Sequence, residues 1–253
     1  MRELRLNVAP EVFDNSMAGP TSTLLLALAG LVTCQAPGRP REAGVPVPAV
    51  GDHAAYSRWM VRSMTWGTMS TISTQASIAG YPFGNPVSFA DGGTGNPYMC
   101  VSPLDSSVKD LQANPKFSLT LSAAQGQNAP AACAPESGRG DPENPPCARL
   151  ALTGDFVDVT GGPEFNTAVA ALNATHPTLN SWGCFQAGGS GGSHGFFLAK
   201  MAVKQAWLIN MYGGAAVVDA VTVTTMIDAD GRMPVRSTCV RSVSVPALST
   251  TRA

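Results

Sequence analysis

Charge is what this chain has least of. Asp, Glu, Lys and Arg make up 13% of its 253 residues, about half the usual share in a soluble domain. The net charge is −1. With no basic patch to neutralise phosphates, nucleic acid is excluded as a main partner. Histidine is nearly as scarce: His53, His176 and His194 are the whole set, which leaves little material for a general base. There is no Cys-x-x-Cys and no Cys/His cluster, so a metal site is not expected. There is no Gly-x-Ser-x-Gly elbow, and Ser70, Ser73 and Ser102 read as strand and turn residues. Gly92-Gly93-Thr94-Gly95 lacks the helix and lysine of a phosphate loop and reads as a turn. No interior apolar run approaches the ~20 residues of a membrane span.

What is present is β-branched and uncharged. Trp66 to Thr74 reads W-G-T-M-S-T-I-S-T, a strand with little exposure to water. Gly80, Pro82, Gly84 and Pro86 predict a loop or bulged turn, followed by a short strand at Val87-Ser88-Phe89. Asp91 to Pro97 is a turn cluster, and Tyr98 to Val101 a third strand. Together these predict an antiparallel meander that begins a barrel. Alternation is cleanest at Lys116 to Ala124, where Phe117, Leu119 and Leu121 face one way. Cys147 to Thr160 reads as its hairpin partner. Phe196 to Met211 reads as a long strand bent or bulged near Lys204. Helices are expected from the cap Asp52 to about Met64, from Asp105 or Ser106 to about Asn114, and from Glu164 to Asn173. Val217 to Ile227 and Met233 to Val245 offer a hairpin about Asp230-Gly231, although a loosely held tail is the preferred reading.

The ends differ in kind. Thr23 to Val32 has the length of a signal-peptide apolar core, with a cleavage site offered at Thr33-Cys34-Gln35-Ala36. The competing reading is a buried helix. Residues 1–36 are therefore read as signal peptide and leader, 37–51 as linker, 52–214 as the domain and 215–253 as tail. If the chain is secreted, a Cys133–Cys147 disulfide would close the Pro/Gly-rich loop between them and stabilise by about 3 kcal/mol. Two free thiols are the alternative. Asn173-Ala174-Thr175 is a glycan acceptor triplet at an expected helix end. Cys184 and His194 could form a nucleophile and base, but nothing orients the imidazole.

Several segments resemble, in order, the CREG family of secreted cellular-repressor glycoproteins: W-G-T-M-S-T-I-S-T (66–74), G-Y-P-F-G-N-P-V-S-F-A-D-G (80–92), Y-M-C-V-S-P-L-D (98–105), V-K-D-L-Q-A-N-P-K-F-S-L-T-L (108–121), D-P-E-N-P-P-C-A-R-L-A-L-T-G (141–154), H-P (176–177), F-F-L-A-K (196–200) and W-L-I-N-M-Y-G-G (207–214). The resemblance implies a six-stranded split β-barrel with flanking helices, shared with the pyridoxamine phosphate oxidases. It also implies a homodimer in the secretory or endolysosomal pathway. The oxidase relatives bind FMN at the dimer interface, whereas CREG proteins resemble them without flavin or oxidase activity. An FMN phosphate carries about two negative charges and calls for Arg or Lys pairs. Between Ser63 and Ala199 the cations are Lys109, Lys116, Arg139 and Arg149, and the Thr-rich run stands where a cationic flavin strand would lie. Ser73 and Thr74 could help an anion weakly. The expectation is a secreted or endolysosomal, non-catalytic glycoprotein without a cofactor, acting through a protein or glycan-receptor partner. An FMN-dependent oxidoreductase is the alternative, and a thiol hydrolase on Cys184 and His194 the least favoured reading.

Overall fold

The structure, a computed structural model, describes residues 47–125, 129–138, 140–186 and 192–225. These all lie within one compact unit. The leader, most of the linker, the Gly- and Ser-rich residues 188–191, and the 233–245 strand expectation fall outside them.

Helix α1 (His53–Ser63) starts where Asp52 accepts a hydrogen bond from the Ala55 amide at 3.0 Å, meeting one of the unpaired donors of a helix start. It buries Tyr56, Met60 and Val61. The strands are β1 (Trp66–Ile72), β2 (Pro82–Ser88), β3 (Tyr98–Val101), β4 (Lys116–Ser122), β5 (Arg149–Asp158), β6 (Phe197–Ile209) and β7 (Ala216–Asp219). All pairings are antiparallel, in the order β2-β1-β4-β5-β6-β3, with β7 also on β6. The two ends of the path meet at one bridge, where Ala90 and Tyr98 exchange backbone bonds of 2.9 and 2.8 Å. The sheet is thus a curled six-strand split barrel with a seventh short strand.

Two strand expectations are corrected. Residues 82–86 are strand, not loop: β2 is an edge, where a proline's missing N–H costs nothing. The first three strands are not a simple meander either, because β3 pairs with β6 rather than β2. The turn between them diverts the chain. Asp91 accepts bonds from the Gly93 and Gly95 amides, and Gly92, Gly93 and Gly95 all adopt positive φ. The bend in β6 falls where the sequence placed it. Thr153 pairs with Gln205 and Gly154 with Val203, leaving Lys204 as the extra residue of a bulge.

Helix α2 (Ser106–Ala113) is capped by Asp105, and α3 (Phe165–Thr175) follows β5. Met69, Leu119, Leu121, Leu150, Leu152 and Met201 fill the barrel core. A second core lies under α3, where Ala168, Leu172 and Leu179 meet Tyr98 and Leu198. Past residue 214 the Val/Thr-rich run divides. Residues 216–219 form β7, and 220–225 form helix α4 (Ala220–Thr225), which buries Val223 completely. Tertiary packing overrides β propensity at this point.

Candidate functional site

The natural place to look is the uncharged run at the end of β1, together with α2, which packs beside it. Three donors at its end are already used. Thr71 Oγ1 donates to Asp110 Oδ2 at 2.8 Å, and the Thr74 amide and Oγ1 donate to Asp110 Oδ1 at 2.6 and 2.7 Å. Asp110 is 1% exposed. Burial alone would raise its pKa, but the bonds from the Thr74 amide, the Thr74 hydroxyl and the Thr71 hydroxyl outweigh it and hold the carboxyl below its ordinary value. Ser73 is equally committed: its amide donates to the Tyr81 carbonyl, its own carbonyl accepts from the Gly80 amide, and its hydroxyl accepts from the Gln75 amide. At the other end of α2, Asp105 accepts two bonds from Asn85 of β2 at 3.0 and 3.2 Å. Two carboxylates therefore clip α2 to the β1–β2 hairpin, and one of them sits where an incoming anion would need the same donors.

Among the described residues the cations named above do not converge. Lys109 is exposed on α2. Lys116 opens β4 opposite Asp155, and Arg149 opens β5 opposite Ser122. From 116 to 122 along the ladder is roughly 20 Å. Arg149 Nη2 donates to the Glu143 carbonyl. Arg139 lies outside the described residues. Beyond these four, Arg58 is paired at 2.8 Å with buried Asp91, and Lys200 at 2.5 Å with Glu164.

Among the described residues the cysteines are all paired, and one imidazole is held by hydrogen bonds. Cys184 is joined to Cys100, and Cys133 to Cys147. Cys184 is therefore no nucleophile, and its proposed pairing with His194 is withdrawn. His194 holds its loop through its carbonyl, which accepts from Ser102 Oγ at 2.6 Å. His176 Nε2 lies 2.8 Å from the Thr65 carbonyl and 3.1 Å from the Phe89 carbonyl. With two acceptors facing it, Nε2 carries the proton and pins the end of α3 to the barrel. His53 stands in the first turn of α1.

One cluster escaped the sequence reading. Tyr98 and Lys200 are cross-strand partners, and both reach Glu164 at the start of α3. The hydrogen bond from Lys200 is the main cause of a lowered Glu164 pKa, while burial is the main cause of a strongly raised Tyr98 pKa. The Asp110 lock did leave a trace in the sequence: an acid set between Val108 and Leu111 on the buried stripe of a short helix. Asn173 is exposed on the last turn of α3, where Thr175 Oγ1 donates to the Ala171 carbonyl. Among the described residues, no group of three His, Cys, Asp or Glu is placed to hold a metal, and no helix is long and apolar enough to cross a membrane.

Against known proteins, residues 48–224 match the family model described as "CREG, beta-barrel". The chain is 32% identical to Protein CREG1 of Mus musculus over 223 residues, covering 83% of this chain and 93% of that one. It is 34% identical to Protein CREG2 of Mus musculus over 175 residues, covering 68% of this chain and 55% of that one. Among solved structures, a heme-binding protein from Mycobacterium smegmatis superposes with a TM-score of 0.52 at 22% identity, over 71% of this chain and 62% of that one. That likeness concerns the fold.

Proposed function

This chain belongs to the CREG family, and on that premise we propose that it is a secreted or endolysosomal glycoprotein that works by binding a protein or receptor partner rather than by catalysis. The observation that carries the reading is Asp110. The hydroxyls and amide at the end of β1 that an anionic cofactor would use already hold a carboxylate of the protein itself. An FMN phosphate brought there would meet a like charge and, among the described residues, no convergent Arg or Lys. The test is an absorption titration of the purified protein with FMN. No flavin band should be retained after desalting, and no saturable spectral change should develop at micromolar FMN. A yellow protein with stoichiometric FMN would overturn this reading in favour of the FMN-dependent oxidoreductase.

The same proposal takes the protein to be a homodimer. The outer face of the barrel sheet runs through the register Pro86, Thr68, Thr120, Ala151, Trp207 and Val217, all partly or fully exposed and none charged. A broad neutral sheet face carrying a tryptophan at 41% exposure suits a second copy of itself. The paired cysteines and the CREG relatives are consistent with a secreted or lumenal chain. A glycan on Asn173 fits its exposure, and a mass shift on enzymatic deglycosylation, lost in Asn173→Gln, tests it.

A further inference from the structure

From Phe165 to Ala199 the sequence has no Asp, Glu, Lys or Arg. In the fold this stretch presents a group of rings at the surface. Trp182 is 49% exposed. Its ring lies 5.8 Å from that of Phe196 at an interplanar angle of 31°, and the His194 ring lies 5.8 Å from Phe196 on the same ridge. Asn180 and Gln186, on either side of Trp182 in the chain, are both exposed and carry neutral amides.

The rings are held firmly although they are not buried. Trp182 ends a 3-10 turn closed by Gly183 at positive φ, and the Cys100–Cys184 disulfide fixes the chain two residues later. His194 is fixed by the bond from Ser102 to its carbonyl, and Gly195 beside it takes a positive φ. Rigid aromatic surface lowers the ordering cost of binding. A flat ring face with neutral amide donors and acceptors, and no charge, matches one ligand chemistry best. A pyranose has an apolar C–H face and a hydroxyl rim, and it carries no charge to be paired.

We propose that the Trp182–Phe196–His194 ridge is a carbohydrate-binding surface for a neutral glycan, with Trp182 as the stacking platform. This rests on the reading of the chain as a binding protein and supplies that reading with a ligand class. It does not depend on the absence of flavin.

The test uses the full-length secreted protein with two neutral probes, chitotriose and mannotriose, and one anionic probe, a heparin-derived tetrasaccharide. Saturation-transfer NMR and tryptophan fluorescence report contact. At least one neutral probe should bind with saturation strongest on its ring C–H protons. Trp182→Ala should weaken it at least tenfold, Trp182→Phe should retain part of the affinity, and Tyr81→Ala, at an exposed ring between β1 and β2, should leave it unchanged. Circular dichroism and the thermal midpoint confirm that each variant is folded. The proposal is overturned if neither neutral probe binds at millimolar concentration, if the anionic probe alone binds, or if Trp182→Ala changes the oligomeric state rather than sugar binding. A flavin-loaded protein that still binds chitotriose through Trp182 would refute the proposed function and leave this inference standing.

Discussion

Asp110 shows how a single side chain can decide what a surface is available for. Its three donors are neutral, yet together they hold a nearly inaccessible carboxylate in its charged form. A carboxyl whose folded pKa lies below its unfolded value adds stability that is complete above the unfolded value. That stability is lost as pH falls through the folded pKa. The window for Asp110 therefore lies below about its ordinary 3.8, and the clip stays closed at mildly acidic pH. Asp110→Ala strands the Thr71 hydroxyl and should cost about 2 kcal/mol near neutral pH. Asp110→Asn should lose part of that and also flatten the acid limb of the stability curve. Urea midpoints between pH 3 and 7 check both. If wild type and Asp110→Asn keep parallel acid limbs, Asp110 is not the group that titrates.

Among the elements, the covalent ties rank in a definite order. The Cys133–Cys147 bridge spans 14 residues and the Cys100–Cys184 bridge spans 84. On the chain-entropy model these are worth about 3 and about 4.5 kcal/mol. The longer tie also holds β3 to the segment behind α3, where the second core is small and the other pins are His176 and the Tyr98–Glu164–Lys200 cluster. Cys184→Ser should therefore lower the urea midpoint more than Cys147→Ser, and hydrogen exchange should rise first in α3. Equal losses would mean that the α3 segment does not depend on its tie. Alternation in Lys116–Ala124 and the cap at Asp52 were legible because they are local. The bulge at Lys204 was legible because an odd residue breaks a period of two. The β3–β6 pairing was not, since nothing local names a partner a hundred residues away. Cys100–Cys184 was open to elimination once Cys133 and Cys147 were paired and Cys34 and Cys239 were assigned to leader and tail.

On the scale of the whole molecule, scarcity of charge becomes a statement about assembly. A net charge of −1 gives little repulsion between copies. The outer sheet face adds a neutral strip six strands wide, in which charge appears at the margins, at Lys116, Asp155 with its partner Lys204, Arg149 and Asp219. The edge at β2 is blunted by Pro82 and Pro86, which disfavours growth by strand addition. The face-to-face closure of two copies proposed above fits this surface, and such closure does not propagate. Thr120 stands near the middle of the strip, on a strand whose two neighbours are both paired. Thr120→Arg keeps the barrel core untouched and, in the proposed dimer, would bring two like charges together near the centre of the strip. Light scattering should then give half the wild-type mass, with the circular dichroism unchanged. Trp207→Glu, at the side of the strip, should weaken the dimer by less. A wild-type mass for Thr120→Arg would move the interface elsewhere on the molecule and leave this sheet face to another partner.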